Sequence, residues 1–558
     1  MAETITMEVR LPDGSSETRE YPKGISALEV SADYKSHMPY DLMAARVNQV
    51  PVRLDSPIEE SGRLDLLDMR DPYGNMVYQE SLTLLYIAAI KDVLGHGVKT
   101  TIENSLSKGF FTIIHTSRVT DELAEKIQER MEEIRDEDAP ITEEWLNREQ
   151  AMTFLQEIES RDRLGLFESA KELDGGWLNR LNDKAELFYV HLLPSAGHLR
   201  LFEVRRYRNG MLLRFPHMSD PSCVPPYAEQ RQLYEAFSEE TIWERLLGVH
   251  YAKDLNEKIT CDDYKDLIMV SEALHEKKIA EIAGMIRERK KRIILIAGPS
   301  SSGKTTFAKR LCIQLRVLGL KPLYLGTDDY FKEREDCPFD ENGKRDFENL
   351  VAMDLDLFET QMNDLLAGKT VDIPTFDFKS GKKVYGTRIT SIDDSRPIVI
   401  EGIHGLNPLM TEGISEDVKF RIYISPLTSL NIDIHHRMPT TDARMLRRMV
   451  RDNRTRNRKP QDTIRDWPSV RAGEEKNIFP YNSEADVFFN SQCAYELAAL
   501  KTYAEPLLEQ VQPEEEEYPE AQRMLMFLKF FEAMPDDSAV LNNSILREFI
   551  GGSIIMNE

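Results

Sequence analysis

Long apolar runs, paired cysteines and net positive charge are all missing from this chain, and each absence removes a class of protein. No uninterrupted apolar stretch reaches the ~20 residues that a membrane-spanning helix needs, so no membrane segment is predicted. The five cysteines (Cys223, Cys261, Cys312, Cys337 and Cys493) contain no C-x-x-C pair. So few and so scattered, they suit free thiols in a reducing compartment rather than a disulfide framework. Aspartate and glutamate outnumber lysine and arginine by 96 to 71, a formal net charge of −25. A protein that coats nucleic acid or anionic membrane needs a basic surface, which argues against that class. The opening MAETITMEVRLPDG has no basic segment followed by an apolar core, so no secretory signal is read and a cytoplasmic location is expected. No internal repeat or long low-complexity segment breaks the chain.

What is present suffices for several globular units. The 558 residues allow three or four domains of ~100–200 residues each. With 41% hydrophobic residues, each can bury a core. Residues 1–70 read as a small β-rich unit: Ile5 to Leu11 alternates, Pro12-Asp13-Gly14 signals a turn, and Ser26 opens a short helix. Residues 71–220 mix helices and strands, with an amphipathic helix from Glu122 to Arg135 and a hairpin around Arg208-Asn209-Gly210. Residues 221–290 form a helical connector. From 291 to 500 apolar strands alternate with helical stretches, the pattern of a parallel α/β sheet. Residues 501–558 read as a C-terminal helical extension, and the acidic run Glu514 to Glu517 as a solvated loop.

The most specific signal is Gly298-Pro299-Ser300-Ser301-Ser302-Gly303-Lys304-Thr305, which fits G-x-x-x-x-G-K-[ST] between the apolar strand Ile293 to Ala297 and a helix beginning at Thr305. Glycines at those positions let the backbone turn its N–H groups inward onto phosphate oxygens, and the following helix presents its N-terminal end to the same anion. Gly298, Ser300, Ser301, Ser302, Gly303, Lys304, Thr305 and Thr306 are therefore the predicted nucleotide-binding residues. Lys304 is placed to reach the β- and γ-phosphates of ATP, and Thr305 to ligate Mg²⁺. A chance glycine/serine turn is the competing reading, and the flanking strand and helix count against it.

Two further strands end in acids. Pro322 to Gly326 leads into Thr327-Asp328-Asp329-Tyr330-Phe331, and Pro397 to Ile400 into Glu401-Gly402-Ile403-His404. Ligands of open α/β sheets bind at the carboxyl ends of strands, so Asp328 falls where an acceptor hydroxyl would meet the γ-phosphate, and Glu401 where an acid holds Mg²⁺. Helix capping by Asp328-Asp329 is the alternative. The stretch from Arg444 to Lys459 is strongly basic in an otherwise acidic chain. It reads as an arginine lid over a transferring phosphoryl group, with a solvated charged face or an RNA contact as alternatives.

These residues resemble a known family. GPSSSGKT (298–305), TDDYF (327–331), IPTFDF (373–378), IVIEGIHGL (398–406), RMLRRMVRD (444–452) and EADVFFN (484–490) look like the uridine kinase/phosphoribulokinase family, in its order and at similar spacing. The resemblance implies a P-loop kinase sheet, with Asp328 as catalytic base beside Lys304, Arg447 and Arg451. It implies ATP and Mg²⁺ served by Lys304, Thr305 and Glu401, and an acceptor held by Asp328, Tyr330, Glu348, Phe376 and Arg448. Phe376 stands where uridine kinases carry tyrosine, and Lys379-Ser380-Gly381-Lys382-Lys383 where they carry a histidine, which puts the base of the acceptor in question. Residues 1–70 resemble a TGS domain of β-grasp fold. Residues 71–215 resemble the second N-terminal domain of threonyl-tRNA synthetases, whose four editing positions read Gln79, Thr83, Phe188 and Leu192 here. None is a good metal ligand, so editing chemistry is not expected.

The expected function is transfer of the ATP γ-phosphate to a nucleoside 5′-hydroxyl. A kinase for a sugar phosphate or other small hydroxyl compound is the second reading, to which Lys379, Lys382 and Lys383 would contribute. A nucleotide-switched regulator with a weak RNA or ribosome contact through the N-terminal units is the third. Homo-oligomers are compatible with all three.

Overall fold

The computed structural model describes residues 3–556 other than 117, 340–342, 344, 347, 348 and 429. A five-stranded mixed sheet opens the chain. In Thr4–Arg10 the residues Ile5, Met7 and Val9 point inward and are buried. This strand pairs antiparallel with Ser16–Pro22 and parallel with Gly62–Leu67. Ser26 caps the helix Ala27–Ser31 through a capping box with Glu29. The arrangement is the β-grasp fold expected from the sequence.

The next region is built around Pro72–Leu94, a helix capped by Asp71 with proline in its first turn. Its buried residues lie on every side, so it is a central helix rather than an amphipathic one. A three-stranded sheet (Ile141–Asn147, Gly175–Leu181, Lys184–Phe188) and a four-stranded sheet accompany it. In the four-stranded sheet Glu203–Tyr207 and Gly210–Arg214 form the expected hairpin, with Arg208 turning the chain at φ 51°. The helices Arg231–Leu247, Ala252–Thr260 and Tyr264–Glu288 then lead to the strand Ile293–Ala297.

That strand is the centre of a parallel sheet. Across it the order is Leu323–Gly326, Ile398–Glu401, Ile293–Ala297, Lys419–Ser425 and Val487–Asn490, every pair parallel. All five residues of the central strand are buried, as an uninterrupted apolar run requires. One core joins this sheet to the 249–286 helices, to residues between Leu146 and Leu187, and to tail residues as far as Ile550.

The acidic run lies in a turn with Glu514 and Glu516 exposed, as predicted, but it is also an anchor for arginines from elsewhere in the fold. Glu516 receives Arg10 at 2.8 Å and Arg63 at 3.0 Å from the N-terminal sheet, and Glu517 receives Arg465 at 2.7 Å. A sequence window shows only the like charges of the run, not the arginines that the fold brings to it. No described helix is long and apolar enough to cross a membrane.

Candidate functional site

The site lies where the parallel strands end. After Ala297 the chain passes so close to the neighbouring strand that a Cβ on Gly298 would sit 1.9 Å from the Ile424 carbonyl oxygen. Only glycine fits there. The loop closes at Gly303, in the left-handed region at φ 81°, and the helix Lys304–Val317 begins. Ser301 also has positive φ, at 60°. The Ser301 and Ser302 hydroxyls are buried with no hydrogen-bond partner among the described residues. Unmatched buried donors in a loop that leads into a helix N-terminus fit a bound phosphate.

Lys304 folds back over this loop, donating to the carbonyls of Gly298 and Pro299 at 2.9 Å each. Burial lowers its ammonium below the ordinary lysine range, against the pull of Glu401 and Glu548. The Thr305 hydroxyl donates to Glu401 at 2.9 Å, and the Tyr324 phenol donates to the same carboxylate oxygen at 3.1 Å. Burial, then Glu401, raises the Tyr324 pKa far above the usual phenol range, so it remains a donor. A hydroxyl and a carboxylate side by side at the foot of the loop form the oxygen-rich pair that suits Mg²⁺. Tyr324 was not singled out in the sequence, where it reads as one more apolar residue of its strand.

The two aspartates after Gly326 separate in role. Asp329 accepts from the Phe376 amide at 3.3 Å and from Arg388, so it is committed to the fold. Asp328 is exposed, and its charge acts on Lys304, Tyr324 and Arg456. Arg456, half exposed at the end of the arginine helix, belongs to the basic stretch read from the sequence as a lid.

The helix Thr440–Arg456 does not present all its arginines as a lid. Arg447, expected to be catalytic, is 0% exposed and pairs with Glu496, also 0% exposed. It donates to the Ser491 carbonyl at 2.8 Å and the Ser301 carbonyl at 3.3 Å, and stacks over Phe549 at 4.9 Å. Every donor direction is taken, so Arg447 is a positioning residue behind the loop. Arg444 is equally buried: it donates to the Ser300 carbonyl at 3.0 Å and pairs with Glu474, whose carboxylate accepts from the Ser300 amide at 3.0 Å. Arg448 is closer to the chemistry, donating to the Ser300 hydroxyl at 2.8 Å. Its place is on the phosphate loop rather than on the acceptor side. Arg451 donates to Asp452 at 2.9 Å.

On the acceptor side, Tyr330 is corrected from a binding residue to a core residue. It is fully buried, donates to Gln361 at 2.9 Å and packs edge-on against Phe358 at 5.1 Å. Phe376 is buried between Phe331 and Phe378, and Phe378 is largely exposed. Lys383 is held by Asp354, whereas Lys379 and Lys382 are exposed. Glu348 lies outside the described residues.

The four editing-type positions of the N-terminal region are packed instead of open. Thr83 donates to the Gln79 carbonyl at 2.9 Å, Gln79 donates to Asn75, and Phe188 and Leu192 are buried. The ring of His436, from the loop before the arginine helix, lies edge-on against Phe188 at 5.2 Å.

The model of the Phosphoribulokinase / Uridine kinase family matches residues 293–498. A uridine kinase of Staphylococcus aureus is 32% identical over 199 residues, 35% of this chain and 85% of that one. The chain belongs to the phosphoribulokinase/uridine kinase family. A uridine kinase of Ligilactobacillus salivarius is 29% identical over 202 residues, 36% of this chain and 85% of that one. The N-terminal region is similar to a threonine–tRNA ligase of Syntrophotalea carbinolica, 29% identical over 204 residues. That match covers 36% of this chain, and the chain spans only 31% of the ligase. A solved structure from Bacillus stearothermophilus, described as a possible uridine kinase, covers 37% of this chain and 99% of itself at 19% identity and TM-score 0.25.

Proposed function

We propose that this protein transfers the γ-phosphate of ATP to a hydroxyl of a small acceptor, and that the acceptor is a nucleoside presenting its 5′-hydroxyl. The observation that carries the reading is the pairing of Thr305 with Glu401 beneath the phosphate loop, with Asp328 exposed at the end of the adjoining strand. When bound, Mg·ATP would supply the phosphoryl group and the divalent charge, held by the loop amides, Lys304, Thr305 and Glu401. Asp328 orients the acceptor hydroxyl and takes its proton. Arg448 and Lys304 offset negative charge on the loop side, and Arg456 does so beside Asp328. Arg444, Arg447 and Glu474 hold the backbone of Ser300 and Ser301 in place, with Glu496 neutralising Arg447.

A nucleoside is favoured over a sugar phosphate because Lys383, one of the three lysines suited to a second phosphate, is already neutralised by Asp354. The aromatic cluster ending in exposed Phe378 offers a surface for a base instead. We assign the kinase unit to 291–500, joined through 221–290 to the units 1–70 and 71–220 and closed by 501–558.

The test is a screen of the full chain with Mg·ATP against nucleosides and sugar phosphates, resolving products by chromatography. Formation of a nucleoside 5′-monophosphate, abolished by Lys304→Ala, is the expected result. Turnover confined to sugar phosphates would move the acceptor. Calorimetry showing no Mg-nucleotide association with folded protein would remove the enzyme reading altogether.

A further inference from the structure

The first turn of the helix Lys304–Val317 carries amides with no partner inside the helix, and these are the groups that receive an anion. One of them is already taken. The Thr306 amide donates to Glu548 at 3.3 Å, and the Thr306 hydroxyl donates to the same carboxylate oxygen at 2.6 Å. Glu548 comes from the C-terminal segment, 242 residues away, and is buried.

The segment is fastened to the loop at several points. A Cβ on Gly303 would lie 2.4 Å from the Ile545 side chain. Arg454 donates to the carbonyls of Phe549 at 3.3 Å and Glu548 at 3.2 Å. Lys309 donates to the Ile555 carbonyl at 3.0 Å. The two carboxylates on this loop differ in their surroundings. Glu474 is neutralised by Arg444 and Arg471. The Glu548 carboxylate is hydrogen-bonded to Thr306 alone among the described residues, although its charge reaches Lys304 and Arg447.

We propose that the C-terminal segment is an internal competitor for nucleotide, with the Glu548 carboxylate standing in the phosphate position at Thr306. This rests on the reading of the loop as a nucleotide cradle. A phosphate and a buried carboxylate cannot share one amide and one hydroxyl without strong repulsion, so nucleotide entry and release of the segment are coupled. The segment thereby sets nucleotide affinity, and whatever draws it off the loop activates the site.

The experiment is calorimetric titration of wild type and Glu548→Gln with Mg·ATP, Mg·ADP and adenosine, together with hydrogen exchange of wild type with and without Mg·ATP. Removing one opposing charge from the phosphate position should tighten Mg·ATP and Mg·ADP by about tenfold and leave adenosine unchanged. Exchange across 544–555 should rise when Mg·ATP binds wild type. Equal or weaker Mg·ATP binding by the variant would make Glu548 a helix cap and overturn the proposal, and so would unchanged or slower exchange across 544–555. The exchange measurement needs no variant, so it decides the matter even if Glu548→Gln does not fold. Wild type that binds no nucleotide at all would instead refute the nucleotide cradle on which the proposal rests.

Discussion

Replacing Arg447 separates a structural arginine from a catalytic one. In Arg447→Met the partner Glu496 keeps its charge at 0% exposure, and the Ser491 and Ser301 carbonyls each lose a donor. Breaking a buried ion pair by removing one partner costs about 3–5 kcal/mol, most of it from the stranded charge. Glu496→Gln should cost a similar amount by stranding Arg447. The double variant should cost clearly less than the sum of the two, because neither charge remains and glutamine still accepts from the Cys493 amide, now bound at 3.3 Å. The assay is urea denaturation followed by tryptophan fluorescence for the four proteins, with Mg·ATP affinity measured in parallel. Affinity should fall in Arg447→Met, since the Ser301 backbone loses its support, but only alongside stability. A variant as stable as wild type, with turnover alone reduced, would refute this reasoning and return Arg447 to the transferring phosphoryl group.

Three other outcomes are expected. Asp328→Asn should lower kcat by about 10²–10⁴-fold, the usual contribution of a general base, with Mg·ATP binding nearly unchanged; equal turnover would remove Asp328 from the mechanism. Burial lowers the His275 pKa to about 4, with Glu272 opposing and Arg310 reinforcing the shift. The fold therefore refuses a proton that the unfolded chain accepts from about pH 6.5 downward, and stability should decline by about 3 kcal/mol from pH 6.5 to pH 4. His275→Gln should flatten that part of the stability profile, and an unchanged slope would assign it to other groups. Asp433→Ala removes an acceptor of the His435 amide at 2.8 Å and of the His436 amide and ring at 2.9 and 2.8 Å, so it should destabilise by about 3 kcal/mol, read by thermal melting.

The phosphate loop was legible because its chemistry is local: glycine positions, a lysine and a hydroxyl must follow one another within eight residues. Asp328 and Glu401 were legible for a related reason, as acids directly after apolar strands. The arginine helix was misread in part, because spacing reveals a basic face but not which residues that face meets. Glu474 and Glu496, which neutralise Arg444 and Arg447, come from other elements. Tyr330 was misread because an aromatic next to a functional acid looks the same whether it turns toward the ligand or toward Phe358 and Gln361. The helix Pro72–Leu94 has no one-sided period, since its surroundings are apolar on all sides. Glu548 left no signal, because a glutamate near the C-terminus gives no hint of an amide 242 residues earlier.

The loop before the arginine helix is fastened to the N-terminal region. Asn431 donates to the carbonyls of Ile102 at 3.0 Å and Glu103 at 2.8 Å, and the Ile102 amide donates to Ile434 at 2.9 Å. Asp433 sits 3.5 Å from Arg163 and 3.3 Å from the Tyr189 phenol, and Arg163 pairs with Glu186 at 2.6 Å. His436 faces Glu80 at 3.8 Å. Asp433 and His436 are buried and take partners across the junction, so separating the two sides would cost Asp433 its contacts with Arg163 and Tyr189, and His436 its contact with Glu80. Two residues after Met438 the helix that carries Arg444 and Arg447 begins, and those arginines hold the Ser300 and Ser301 carbonyls. Buried polar contacts thus tie the N-terminal region to the 431–436 loop, and from that loop the chain runs directly into the helix whose arginines hold the phosphate loop. The N-terminal region therefore packs against the segment that leads into this helix.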